Sequence, residues 1–117
     1  MNIVLIEGTL LDAPAPATLA DGRQVLTGTV TVRDGDVGGA ESVPFSWFDP
    51  PARASGLGAG ERVALVGRVR RRFFRTGGVT ASRTDVVVEH LVRAGHRRRL
   101  RARLDRAVAE LAGTEAR

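Results

Sequence analysis

The chain has 117 residues, a formal net charge of +5 and 43% hydrophobic residues, enough for one domain with a small core and too apolar for a chain disordered throughout. It contains no cysteine, which excludes a disulfide framework and a thiolate metal site. No signal peptide and no long apolar run is visible, so a cytoplasmic location is expected.

Met1 to Leu11 alternates Val4, Ile6 and Leu10 around Gly8 and predicts a first strand. Asp12 to Gly22, with Pro14, Pro16 and the Asp21-Gly22 pair, predicts a loop ending in a turn. Arg23 to Val32 is rich in Val and Thr and predicts a second strand. A Gly/Asp loop from Asp34 to Ala40 leads into a third strand, Ser42 to Phe48. Pro50 to Gly60 has room for one or two helical turns, with Pro51 suited to the first. Glu61 to Phe74 predicts a long fourth strand, Thr76-Gly77-Gly78 a turn, and Ser82 to Val92 a fifth strand. Five strands with a short helix between the third and fourth predict a small barrel of the OB type. Gly8, Gly28 and Gly67 each interrupt a strand, as expected where a barrel strand bends. After Ala94-Gly95 the pattern becomes helical. In His96 to Ala112, Leu100, Leu104, Ala107, Val108 and Leu111 line one face and arginines fill the others, with Gly113 as the expected stop. That apolar stripe requires a partner, either the barrel or the same helix in another copy.

Every basic residue other than histidine is arginine, the residue suited to bidentate phosphate contacts and to stacking on flat rings. A GC-rich genome also accounts for an all-arginine chain, but not for its clustering. Arginine concentrates in two blocks, Arg68 to Arg75 and Arg93 to Arg106, which points to an anionic partner. Catalytic patterns are missing: no GxSxG, P-loop or HExxH string occurs. Glu7, Glu41, Glu61, Asp85 and Glu89 are scattered over different strands. His90 and His96 have no acid pair at metal-ligand spacing. Gly56, Gly58 and Gly60 precede a strand instead of opening a helix, and so predict a flexible connection. No enzyme, metal or cofactor is expected.

The fourth strand carries the functional signal. A period of two puts Val63, Leu65 and Val69 on one face. Ala64, Val66, Arg68, Arg70, Arg72 and Phe74 fall on the other. The four side chains from Arg68 to Phe74 span about 20 Å at roughly 3.3 Å per residue. Arginines neutralise phosphates and release counterions; rings stack on bases at about 1–3 kcal/mol each, whatever the base. Phe73, on the opposite face, is assigned to packing at the barrel or between protomers. On the third strand Phe45 and Trp47 share one face, expected to be largely packed. Phe48 lies on the other and is expected to be the more accessible.

In their order and spacing, NIVLIEGTLLDAP, ADGRQVLTGTVTV, SWFDPPA, AGERVALVGRVRRRFFRTGG and SRTDVVVEHL resemble the successive strands of bacterial single-stranded DNA-binding proteins of the SSB family. The resemblance covers about residues 1 to 92. It implies an OB fold, single-stranded DNA wrapped over aromatic and basic surfaces, no catalysis, and assembly commonly into tetramers. By position, Phe48 and Phe74 fall where the family stacks bases, and Arg68, Arg70 and Arg72 on the strand that tracks phosphates. The sequence departs from the family at Ser42 and Val43, where an early tryptophan is absent, and at Phe74, where the family often has Trp. The acidic, aromatic tip is also missing, so recruitment of proteins through such a tip is not expected.

The expectation is therefore an all-β protein: a five-stranded OB-fold barrel over residues 1–94, followed by a basic amphipathic helix over 95–117. It binds single-stranded DNA without sequence preference, in support of replication, recombination or repair. The candidate contact residues are Arg68, Arg70, Arg72, Phe74, Arg75, Phe48, Trp47 and Arg83. The expected assembly is a homo-oligomer, dimer or tetramer, associated with the nucleoid and not with membranes. Competing readings are an RNA-binding OB module, a primosome-like OB subunit serving assembly, and an enzyme with a cryptic site.

Overall fold

A computed structural model describes residues 1–33 and 39–115. It contains six strands: β1 (Val4–Leu10), β2 (Ala15–Thr18), β3 (Gln24–Val32), β4 (Glu41–Phe48), β5 (Arg62–Thr76) and β6 (Val79–Arg93). A short 3-10 helix, Ala52–Gly56, follows β4, and α1 spans Arg97–Glu115. The five longer strands close a ring. β1 pairs with β5 and β3, β5 with β6, β6 with β4 in parallel, and β4 with β3. The result is a barrel-like sheet. Among the described residues no helix is long and apolar enough to cross a membrane.

Three boundaries differ from the sequence expectation. The segment read as a loop contains β2, an edge strand paired only with β3 through Ala15↔Thr27 to Thr18↔Gln24. Pro16 is compatible with it because an edge strand leaves one row of N–H groups unpaired. The fourth and fifth expected strands run further than hydrophobicity indicates, meeting at Thr76↔Val79. The helix continues past Gly113 to Glu115. Most of the expected Gly/Asp loop, residues 34–38, lies outside the described residues.

Alternation fills the ring. Val63 and Leu65 of β5, Phe45 and Trp47 of β4, and Val86 and Val88 of β6 point into one core with Leu10 and Val30. Ala54 and Leu57, in and just after the 3-10 helix, join the same core. Gly67 allows β5 to lie against β6: a Cβ there would clash with the Val87 carbonyl oxygen. Beside it the register slips from Val66↔His90 to Gly67↔Val88, leaving Glu89 as the extra residue of a bulge. β1 ends its pairing with β5 at Val4↔Gly67. Asn2 extends the contact by one step, its side-chain amide donating to the Val69 carbonyl (2.7 Å) and accepting from the Val69 N–H (2.9 Å).

Beyond this point β5 and β6 are strand-paired only with each other and project as a two-stranded ribbon. Gly77 (φ 59°) and Gly78 (φ 81°) close it, supplying the two consecutive left-handed residues that a tight hairpin of matching twist demands. At the opposite end of β5, α1 packs on the outer face of its own sheet. Leu100 is buried against Ala64 and Val66, with Leu104 and Val92 beside it. The barrel is thus the partner of the helix stripe at Leu100 and Leu104. Leu111 lies where side chains are not described.

Candidate functional site

The outer face of β5 carries, in order, Arg68, Arg70, Arg72 and Phe74. Their register partners on β6 are Val87, Asp85, Arg83 and Ala81. Ser46 of β4 sits opposite Val87, which brings Ser46 and Phe48 onto the same face. Five expected contact residues from two strands, Arg68, Arg70, Arg72, Phe74 and Phe48, are therefore joined there by a sixth, Arg83 of a third.

The arginines are not equivalent. Arg70 is committed to Asp85: its Nε donates to Oδ1 at 3.1 Å and its Nη2 to Oδ2 at 2.9 Å. Ser46 Oγ donates to Oδ2 at 2.8 Å. The two charged side chains are 21% and 3% exposed. Burial is the largest influence on Asp85 and pushes its carboxyl up. The hydrogen bonds from Arg70 and Ser46, with the charges of Arg70 and Arg72, outweigh it and hold the group below the ordinary aspartate value. The Arg70 guanidinium also lies 5.5 Å from the Phe48 ring centre, and that of Arg23 lies 5.2 Å from it. The half-buried Phe48 is thus already stacked by arginine, and Arg70 acts as a positioning residue between a carboxylate and a ring.

Arg72 and Arg83 are different. They face each other directly across the ribbon, both exposed, and among the described residues neither forms an ion pair. Like charges opposed at about 5 Å destabilise a ribbon. An anion between them converts that cost into two charge-assisted hydrogen bonds. Phe74, the next outer residue, is 47% exposed and offers an open ring face beside this pair.

Three assignments from sequence change. Trp47 is 4% exposed and packed in the core, so its ring takes no part in this surface; Arg53 only approaches it, at 5.7 Å from the ring centre. Arg75 pairs with Thr80 and falls on the other ribbon face, with Arg71 and Phe73. Phe73 is not packed on the barrel: it is 67% exposed, with Arg71 5.3 Å from its ring centre. Both faces of the ribbon are consequently basic and aromatic. The alternation Val69, Arg71, Phe73, Arg75 contained a signal for this, since arginine at every second position of a core face marks where the strand leaves the core. No local signal led to Arg23 or Ser46, whose contacts cross between strands distant in sequence.

Below the inner ribbon face is an apolar cavity of about 520 Å³, lined by Val4, Ile6, Val43, Pro44, Val69 and Val86. Among the described residues no group of three or more His, Asp or Glu side chains is placed to hold a metal ion. No family model and no curated protein matches this chain.

Proposed function

We propose that the chain is an OB-type barrel that binds single-stranded nucleic acid without base-specific readout. The observation that carries this reading is the exposed Arg72–Arg83 pair with the open Phe74 ring beside it. Such a surface fits one phosphate and one adjacent base, and stacking on a ring tolerates any base. Arg68 extends the basic surface along β5. Paired bases in a duplex are unavailable for this stacking, which favours single strands. The closed five-strand ring with its parallel β4–β6 pair and its 3-10 segment after β4 supports the OB assignment. DNA is the preferred ligand on the likeness to single-stranded DNA-binding proteins, and with it a role in replication, recombination or repair and a cytoplasmic, nucleoid-associated location. Assembly into a dimer or tetramer is part of the proposal, supported by the exposed Phe73 and the apolar cavity beside the ribbon.

The test is the anisotropy of labelled oligo-dT, oligo-U and duplex across a salt series; with Trp47 in the core, an oligonucleotide label is the better reporter. Oligo-dT should bind more tightly than duplex, with affinity falling steeply as salt rises. Phe74→Ala should weaken binding by about 1–3 kcal/mol at an unchanged salt slope. Arg72→Ala should lower that slope by about 0.7. Equal affinity for duplex overturns the reading; equal affinity for oligo-U overturns only the preference for DNA.

A further inference from the structure

α1 lies on the same sheet face as the arginine stripe, so its own arginines border that stripe. Leu100 covers Ala64 and Val66, and the next outer residue of β5 is Arg68. On the β6 side of the helix, an Arg103 guanidinium N–H (Nη1) donates to His90 Nε2 at 3.0 Å. Arginine has no acceptor, so Nε2 carries no proton in this contact and His90 is neutral. His90 is the register partner of Val66, and Val66 is two residues, about 7 Å, from Arg68 along the strand. Burial, then Arg103 and Arg53, hold His90 below the ordinary histidine range, with Glu89 opposing in part. A neutral imidazole holding Arg103 therefore lies one step beyond the end of the stripe.

The contact with His90 uses one of the five guanidinium N–H groups of Arg103. The others remain to donate, and the bond to His90 fixes the side chain where it stands. We infer that Arg103 forms a second phosphate-binding station, which extends the strand path from Arg68 across the docked helix. This rests on the single-strand reading above and adds the direction in which the strand continues. The helix, in this view, both packs on the barrel and lengthens the binding track.

The test uses the full chain and two oligo-dT probes, of about 6 and about 16 nucleotides, near the limits of known single-strand site sizes. The shorter should engage the ribbon, where Phe74 gives the stronger hold. The substitution Arg103→Gln should leave binding of the short probe within about twofold. For the long probe the salt slope should fall by about 0.7, from one phosphate on a single strand. Arg103→Lys alone should keep the slope, since it keeps the charge. Far-UV circular dichroism of each variant should match the unsubstituted chain, showing that α1 remains helical. An unchanged slope on the long probe overturns this inference and leaves the ribbon reading standing. Equal weakening on both probes also overturns it, because Arg103 would then act through the whole fold. Loss of the preference of the unsubstituted chain for oligo-dT over duplex overturns both.

Discussion

Replacing Arg70 by alanine should injure the fold before it injures binding. The substitution leaves the Asp85 carboxylate, 3% exposed, with Ser46 as its one remaining partner. Breaking a fully buried pair costs about 3–5 kcal/mol. Arg70 is itself 21% exposed and the Ser46 bond survives, so about 2–3 kcal/mol is the expected loss. At roughly 4 °C per kcal/mol for a domain of this size, the melting temperature should fall by about 8–12 °C. Arg72→Ala, one step along the same face, should stay within about 0.5 kcal/mol because it breaks no pair. Thermal and urea unfolding of the two variants, followed by circular dichroism, measure the contrast. The pair Arg70→Met with Asp85→Leu should recover most of the loss, since removing both partners leaves no buried charge. The pH dependence has a fixed sign. The folded Asp85 value is depressed, so its contribution is complete above the unfolded value of about 3.9 and is lost as pH falls through the folded value. The gap between Arg70→Ala and the unsubstituted chain should therefore close in acid. Equal melting temperatures for Arg70→Ala and Arg72→Ala, or a gap that persists undiminished in acid, refute the reasoning.

Leu100→Ala should cost about 2–5 kcal/mol, the range for a buried leucine, and should raise amide hydrogen exchange in α1 while the strands stay protected; protection unchanged in the helix contradicts its docking through Leu100. His90 is held below the ordinary histidine value, so its contribution is present above the unfolded value of about 6.5 and fades as pH falls through the folded one. His90→Gln should flatten the fall in stability between about pH 7 and 5, and an equally steep fall in the variant rejects the linkage. Gly67→Ala sets a Cβ against the Val87 carbonyl and should cost the upper part of the ~1–3 kcal/mol overpacking range; an unchanged urea midpoint shows that the bulge can yield.

Much of the site was legible because a strand repeats every two residues. That period alone separated Arg68, Arg72 and Phe74 from Val69, Arg71 and Phe73, and the register of β5 against β6 keeps the same division. Gly67 was expected as the bend of a barrel strand, and there β5 approaches β6 too closely to leave room for a Cβ. Three things were not legible. The pairing of Arg70 with Asp85 joins strands through a hairpin whose register depends on the Gly77–Gly78 turn and the bulge at Glu89. The exposure of Phe73 depends on where β1 and β4 stop covering the ribbon, and both ends are set by pairing between distant segments. The seat of α1 depends on Ala64 and Val66 being the small and medium residues over which a leucine fits.

By itself, then, the sequence determined the alternation, the turns, the amphipathic helix and the basic character of the long hairpin, all of which are local and follow from spacing and residue type. Only the tertiary structure decided which arginines keep their charge free. A guanidinium is neutralised or left exposed by what lies across the sheet, so Arg70 became part of the frame while Arg72 and Arg83 were left facing each other, neither in an ion pair among the described residues.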